Sequence, residues 1–150
     1  MIKAVVFDYG RTLLDRETNK FFPEAFKLLA DLKQKGYKLG LVSKTKNTPD
    51  RAEEIVETGL ADNFDAVITT YVKKEENFRE LAGDLDIKPS EMLIVGDRIR
   101  GEIVIGNKIG SKTVWLKKGL FAKQPPRNNQ EKPTYTINEL AELSLILNKL

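Results

Sequence analysis

Two apolar runs in this chain each end in an aspartate: Val5-Val6-Phe7-Asp8 near the start and Leu93-Ile94-Val95-Gly96-Asp97 late in the sequence. Short β-branched runs of this kind read as buried strands. A carboxylate at the mouth of a buried strand is costly unless something pairs with it. Two such strands side by side would carry both carboxylates to one edge of a sheet, the edge where open α/β folds bind ligands. The pattern therefore predicts a divalent-metal site assembled from separate segments.

Strand and helix signals alternate along the rest of the chain. Residues 2–8 are the first strand, and 9–20 a polar loop with Gly10, Asp15 and Asn19. Pro23 opens an amphipathic helix in which Ala25, Phe26, Leu28, Leu29 and Leu32 keep helical spacing until Gly36 stops it. Residues 37–43 form the second strand. Thr48 then caps a helix with Pro49 at its first position, Ile55 and Val56 lining it and Gly59 ending it. Strand three covers 64–70, helix three 75–85 with Phe78, Leu81 and Leu85 inward, strand four 92–96, a helix 99–109 and strand five 113–116. A Lys-, Asn- and Pro-rich loop, 117–133, leads to a short last strand, 135–137. Asn138 caps a terminal helix carrying Leu140, Leu143, Ile146 and Leu147. This alternation predicts a parallel sheet with helices on both faces, wound right-handed. Asp8, Ser43, the segment after Thr70, Asp97 and the loop after Leu116 should all reach one edge of it.

At 150 residues the chain fits one domain, 1–150, with 41% hydrophobic and 31% charged residues, ordinary for a soluble globular fold. No run approaches the ~20 apolar residues that span a bilayer, and no secretory signal pattern opens the chain. A cytoplasmic protein without membrane attachment is expected. Cysteine and histidine are both absent. That excludes disulfides, thiolate chemistry, histidine-based triads and nearly all zinc chemistry. Catalysis must run on Asp, Glu, Lys, Arg, Ser, Thr, Tyr or a bound metal. The net charge is +3, and the basic residues read as scattered over a solvated surface, apart from Lys117, Lys118, Lys123 and Arg127 in the late loop. Nothing here specifically indicates nucleic acid, which favours a basic stripe with interleaved aromatics.

Four segments carry chemistry. Asp8-Tyr9-Gly10-Arg11-Thr12 ends the first strand in a turn. It reads either as a plain strand-terminating turn, with Gly10 in left-handed backbone, or as a nucleophile and metal ligand, Asp8, followed by phosphate-facing amides and the Gly10 carbonyl. Ser43, followed by Lys44, either closes its strand or holds a phosphate oxygen through its hydroxyl and neighbouring amides. Lys73 and Lys74 precede a helix whose N-terminal amides favour anions. Gly96-Asp97-Arg98-Ile99-Arg100-Gly101-Glu102 is the most specific segment, placing a second acid at a helix start five residues after a strand-terminal aspartate.

Taken in order, these segments resemble the motifs of the haloacid dehalogenase (HAD) superfamily, and the likeness covers nearly the whole chain, including a tail from Pro133 to Leu150. The resemblance implies a three-layer α/β/α sandwich around a mainly parallel, doubly wound, Rossmann-like sheet. It also implies a magnesium-dependent phosphohydrolase acting on a phosphomonoester, small or macromolecular. Asp8 would attack phosphorus and form an aspartyl-phosphate that water cleaves. Mg2+ would be held by Asp8, the Gly10 carbonyl and Asp97, with Glu102 acting through water or orienting Asp97. Ser43 and one of Lys73 and Lys74, Lys73 fitting slightly better, would stabilise the transferring group. Tyr9, Gly10 and Lys44 would complete the phosphate contacts.

Departures from the family pattern are as informative. The second aspartate of the first motif, which serves as general acid and base, is Gly10 here. Such help is worth about 10²–10⁴-fold, so turnover should be slow unless something substitutes, Asp15 and Glu17 being the nearby carboxylates. Glycine at this position also suits a non-catalytic phosphate- or protein-binding module. Glu102 replaces an aspartate, and no proline follows the motif lysine. No cap domain fits, residues 9–22 being a short loop in its place. An open site implies a large substrate, a second subunit of a homo-oligomer over it, or the 117–133 loop folded across it.

Overall fold

In the computed structural model, which describes residues 1–150, six strands form one parallel sheet. In chain order the elements are β1 (Ala4–Asp8), β2 (Leu14–Asp15), β3 (Lys20–Phe21), α1 (Ala25–Gln34), β4 (Lys38–Lys44), α2 (Thr48–Glu57), β5 (Ala66–Thr70), α3 (Glu75–Asp84), β6 (Met92–Gly96), α4 (Val104–Lys108), β7 (Lys112–Leu116), β8 (Tyr135–Ile137) and α5 (Leu143–Leu147). The sheet order is β5-β4-β1-β6-β7-β8. The segment 9–20, expected as loop, instead folds with Phe21 into the antiparallel hairpin β2–β3, which Asn19 turns in left-handed backbone at φ 56°.

A sheet covered on both faces reads as continuous apolar runs, because both phases of the pleat are buried. On one face Val5, Phe7, Leu39, Leu41, Leu93 and Val95 pack with residues of α1, α2 and α5. On the other, Ala4, Val6, Val42, Met92 and Ile94 meet Phe78, Leu81, Ala82 and Leu85 of α3 and its flank, and Ile109 after α4. Each such large side chain contributes roughly 1.5–3 kcal/mol by leaving water. Three layers result, as the alternation of signals predicts.

Local corrections follow from packing and capping. Phe26 is 42% exposed and Val56 66% exposed, so neither belongs to the core-facing stripe assigned to it. Phe26 instead meets Phe21 edge-on across 5.2 Å. The cap of α2 is Asn47, whose side chain accepts from Asp50 N–H, and Thr48 is already helical. Asn138 caps nothing: its own N–H donates to Glu142 Oε2, and the terminal helix starts later, after a single turn at Leu140–Glu142. The helix expected over 99–109 is broken by non-helical backbone at Gly101 (φ −120°, ψ −107°), which makes Ile99–Ile103 a separate wide turn before α4.

From β1 the chain builds β4 and β5 on one side, then crosses back to place β6 on the other side of β1. The connection reverses direction between β1 and β6, and at such a switch point the loops diverge and leave a crevice beyond the strand ends. Phe7 pairs with Val95, so Asp8 and Asp97 leave neighbouring strands at that crevice.

Candidate active site

Asp8, Asp97 and Glu102 meet there. One carboxylate oxygen from each lies within 4.8 Å of the others, and all three residues are buried. Asp8 arrives on β1 and Asp97 follows β6, while the broken turn at Gly101 swings Glu102 back toward them. Lys73, just before α3, donates to Asp8 Oδ1 and, at 2.5 Å, to Glu102 Oε1. The Thr12 hydroxyl lies 3.5 Å from Asp8 Oδ2, and the Trp115 indole N–H donates to the Asp97 carbonyl at 2.9 Å.

Burial dominates the electrostatics of this cluster. It lifts Asp8 from 3.8 to about 6, Lys73 pulling the other way and Glu102 adding to the rise. Asp97 is pushed up to about 8, by burial first and then by the charges of Asp8 and Glu102. For Lys73, burial favours the neutral amine, but Asp8 and Glu102 outweigh it and the net shift is upward. Were all three carboxylates ionised, the Lys73 ammonium would leave two negative charges unbalanced, and that excess is part of what holds protons on Asp8 and Asp97 in the absence of a cation. Asp97 Oδ2 and Glu102 Oε2 are buried with no hydrogen-bond partner. Hard oxygen donors, that excess of negative charge on ionisation and orphaned acceptors fit a divalent cation such as Mg2+.

Around the acids lies a cleft of about 440 Å³ whose wall is cationic: Arg11, Arg16, Lys44, Arg51, Arg98 and Arg100 line it with Lys73. Sequence reading took the basic residues as scattered, and the structure corrects this. Lys44 ends β4, and Arg11, Arg98 and Arg100 follow β1 and β6, so the topology that gathers the acids gathers them too. Position relative to strand ends was the signal that would have found them.

The other candidate positions divide. Gly10 lines the cleft, yet the left-handed residue of the turn is Arg11, at φ 64°. Ser43 is fully buried, and its Oγ accepts from Arg51 Nη1 at 2.8 Å. The Tyr9 ring is buried beneath the guanidinium of Arg51 at 5.0 Å and that of Arg16 at 5.7 Å. Lys74, exposed at the start of α3, is absent from the cleft wall, leaving Lys73 as the lysine that reaches the acids. Asp15 and Glu17 line an adjacent cleft rather than this one. No residue of 117–133 lines the acidic cleft; the loop buttresses its rim, with the Phe121 ring under Arg98 at 4.7 Å and Arg11 at 5.5 Å.

The chain is similar to known proteins. A glyceraldehyde 3-phosphate phosphatase of Pyrococcus furiosus is 33% identical over 132 residues, covering 85% of this chain and 54% of that protein. The pyrophosphatase PpaX of Bacillus mycoides is 31% identical over 142 residues, covering 86% of this chain and 60% of that one. A HAD phosphatase from Thermococcus onnurineus superposes with a TM-score of 0.71 at 28% identity, over 85% of this chain and 58% of its own. The chain thus spans little more than half the length of these relatives. The family described as mitochondrial PGP phosphatase matches residues 1–121, and on that match the chain belongs to this family of HAD-like phosphatases.

Proposed function

We propose that this chain is a cap-free HAD-like core that hydrolyses a terminal phosphoryl group from a phosphorylated small molecule, with Mg2+ as cofactor and Asp8 as nucleophile. The observation that carries the reading is the buried Asp8–Asp97–Glu102 cluster bridged by Lys73 at the sheet's switch point. Relatives named for a phosphate ester and for pyrophosphate both act at a terminal phosphoryl group, which agrees with it.

Lys73 holds the Asp8 carboxylate in one orientation, with Thr12 beside its second oxygen. One Asp8 oxygen attacks phosphorus in line, the bond to the leaving oxygen breaks, and water then releases phosphate from the aspartyl ester. Asp8, Asp97, Glu102 and the Gly10 carbonyl would hold Mg2+, which when bound would offset the repulsion between an anionic nucleophile and an anionic phosphate. Arg51, fixed by Ser43 and the Tyr9 ring, presents its guanidinium to the phosphoryl oxygens, with Lys44 beside it.

Gly10 favours a second reading, a phosphate-binding module without turnover. Hydrolysis of an aryl phosphate with and without Mg2+, for the natural chain and Asp8→Asn, separates the two. Slow Mg2+-dependent release, abolished by Asp8→Asn and accompanied by a transient phosphoryl adduct on Asp8 in mass spectrometry, is the expected result. Indistinguishable rates for the two proteins across a broad panel would leave the binding module.

A further inference from the structure

The side chain missing from Gly10 has been replaced in space. An ideal Cβ on Gly10 would lie 3.2 Å from Arg16 Nε and 3.5 Å from its Nη2, so the guanidinium of Arg16 stands against the space that a side chain at position 10 would enter. A guanidinium donates hydrogen bonds and neutralises charge, but it does not give up a proton in a protein. The carboxylates on the cleft wall are Asp8, Asp97 and Glu102, all committed to the acidic cluster. The cleft has therefore exchanged a proton donor for a fixed positive charge.

This decides which bonds can break. An alkoxide is about as basic as hydroxide, whose parent acid has a pKa near 16, and it leaves slowly unless protonated. A phosphate oxygen, with a pKa of about 6, leaves readily as an anion. We infer, on the strength of the phosphohydrolase reading, that the site serves phosphoryl groups whose leaving group departs as a stable anion, an acyl phosphate or a phosphoanhydride, with Arg16 contacting the leaving oxygen. Asp8 forms its bond to the terminal phosphorus. The bridging P–O bond breaks, and its electron pair stays on the departing carboxylate or phosphate beside Arg16. Water then supplies the oxygen that frees Asp8, and its proton passes to the released phosphate. The cations on the wall beyond Arg51 and Lys44, which face the transferring phosphoryl group, suit a leaving group that is itself anionic.

The test compares kcat/KM for acetyl phosphate and inorganic diphosphate with that for glycerol 2-phosphate, in Mg2+, for the natural chain, Arg16→Ala, Arg16→Lys and Gly10→Asp/Arg16→Ala. One or both anion-leaving substrates should exceed glycerol 2-phosphate by at least ~10²-fold, the size of the absent acid's contribution. Which of the two does so identifies the acyl or the anhydride class. Arg16→Ala should lower the preferred rate about tenfold or more, and Arg16→Lys should restore part of it. The double variant, which installs an acid and clears its space, should raise glycerol 2-phosphate turnover and shrink the ratio. Comparable rates on all three substrates in the natural chain, or an unchanged preferred rate in Arg16→Ala, would overturn this inference while sparing the phosphohydrolase reading. Inertness toward every phosphate, aryl phosphates included, would end both.

Discussion

Glu102 reaches the acidic cluster because residue 96 has no side chain. A Cβ on Gly96 would lie 2.6 Å from Glu102 Oε2 and 2.9 Å from its Cδ, so the longer acid at position 102 is accommodated by close approach to bare backbone. Gly96→Ala should push Glu102 out of register and weaken Mg2+ binding by about 10–100-fold, measured by titration calorimetry; an unchanged affinity would show Glu102 to be idle. The raised carboxyl values make a second prediction at this scale. Asp8 and Asp97 bind protons more tightly folded, at about 6 and 8, than unfolded, near 3.8. Metal-free protein is therefore most stable at low pH with respect to these groups, and it loses stability as pH rises from about 4 to about 8. Thermal melts should show that decline without metal, and the rise in Tm on adding Mg2+ should grow across the same interval. A Mg2+ effect independent of pH would contradict the cluster's shared titration.

At the scale of elements, helix caps separate what sequence shows from what it hides. Asn47, Thr48 and Asp50 all favour a helix N-terminus, and only the backbone decides which residue caps: Asn47 is extended at φ −130° and accepts from Asp50 N–H. Asn47→Ala should cost about 1 kcal/mol in denaturant unfolding, and Thr48→Ala well under that; the reverse order would return the cap to Thr48. The inner strands β1, β4, β6 and β7 were legible because each carries an apolar run, and a strand buried on both faces has little freedom in its sequence, while the partly exposed edge strands β5 and β8 showed through their β-branched and aromatic residues. Their C-terminal ends then followed from topology, which is why Asp8 and Asp97 were legible as one site in the sequence, whereas Glu102, beyond a strand end, joined them only through the HAD resemblance. The β2–β3 hairpin was not, since two-residue strands carry no period to read. Neither was the break at Gly101, nor Arg51, which reaches Ser43 from the first turns of α2 rather than from a strand end.

For the whole molecule, the decisive property is where its charge sits. A net charge of +3 is modest, but Arg11, Arg16, Lys44, Arg51, Arg98 and Arg100 face one cleft. Charge focused in a cleft attracts anionic substrates and is screened within about 10 Å at 0.1 M salt. Raising ionic strength from about 0.02 to 0.2 M should lower kcat/KM for an anionic substrate roughly tenfold and leave kcat nearly unchanged; a flat response would mean that the wall does not steer. No helix is long and apolar enough to cross a membrane. The chain also contains a single tryptophan, and its indole N–H is bonded to the backbone of Asp97. Its intrinsic fluorescence is therefore a built-in reporter: a cation drawn to Asp97 should shift the emission, and stopped-flow detection can time its arrival without attaching a label.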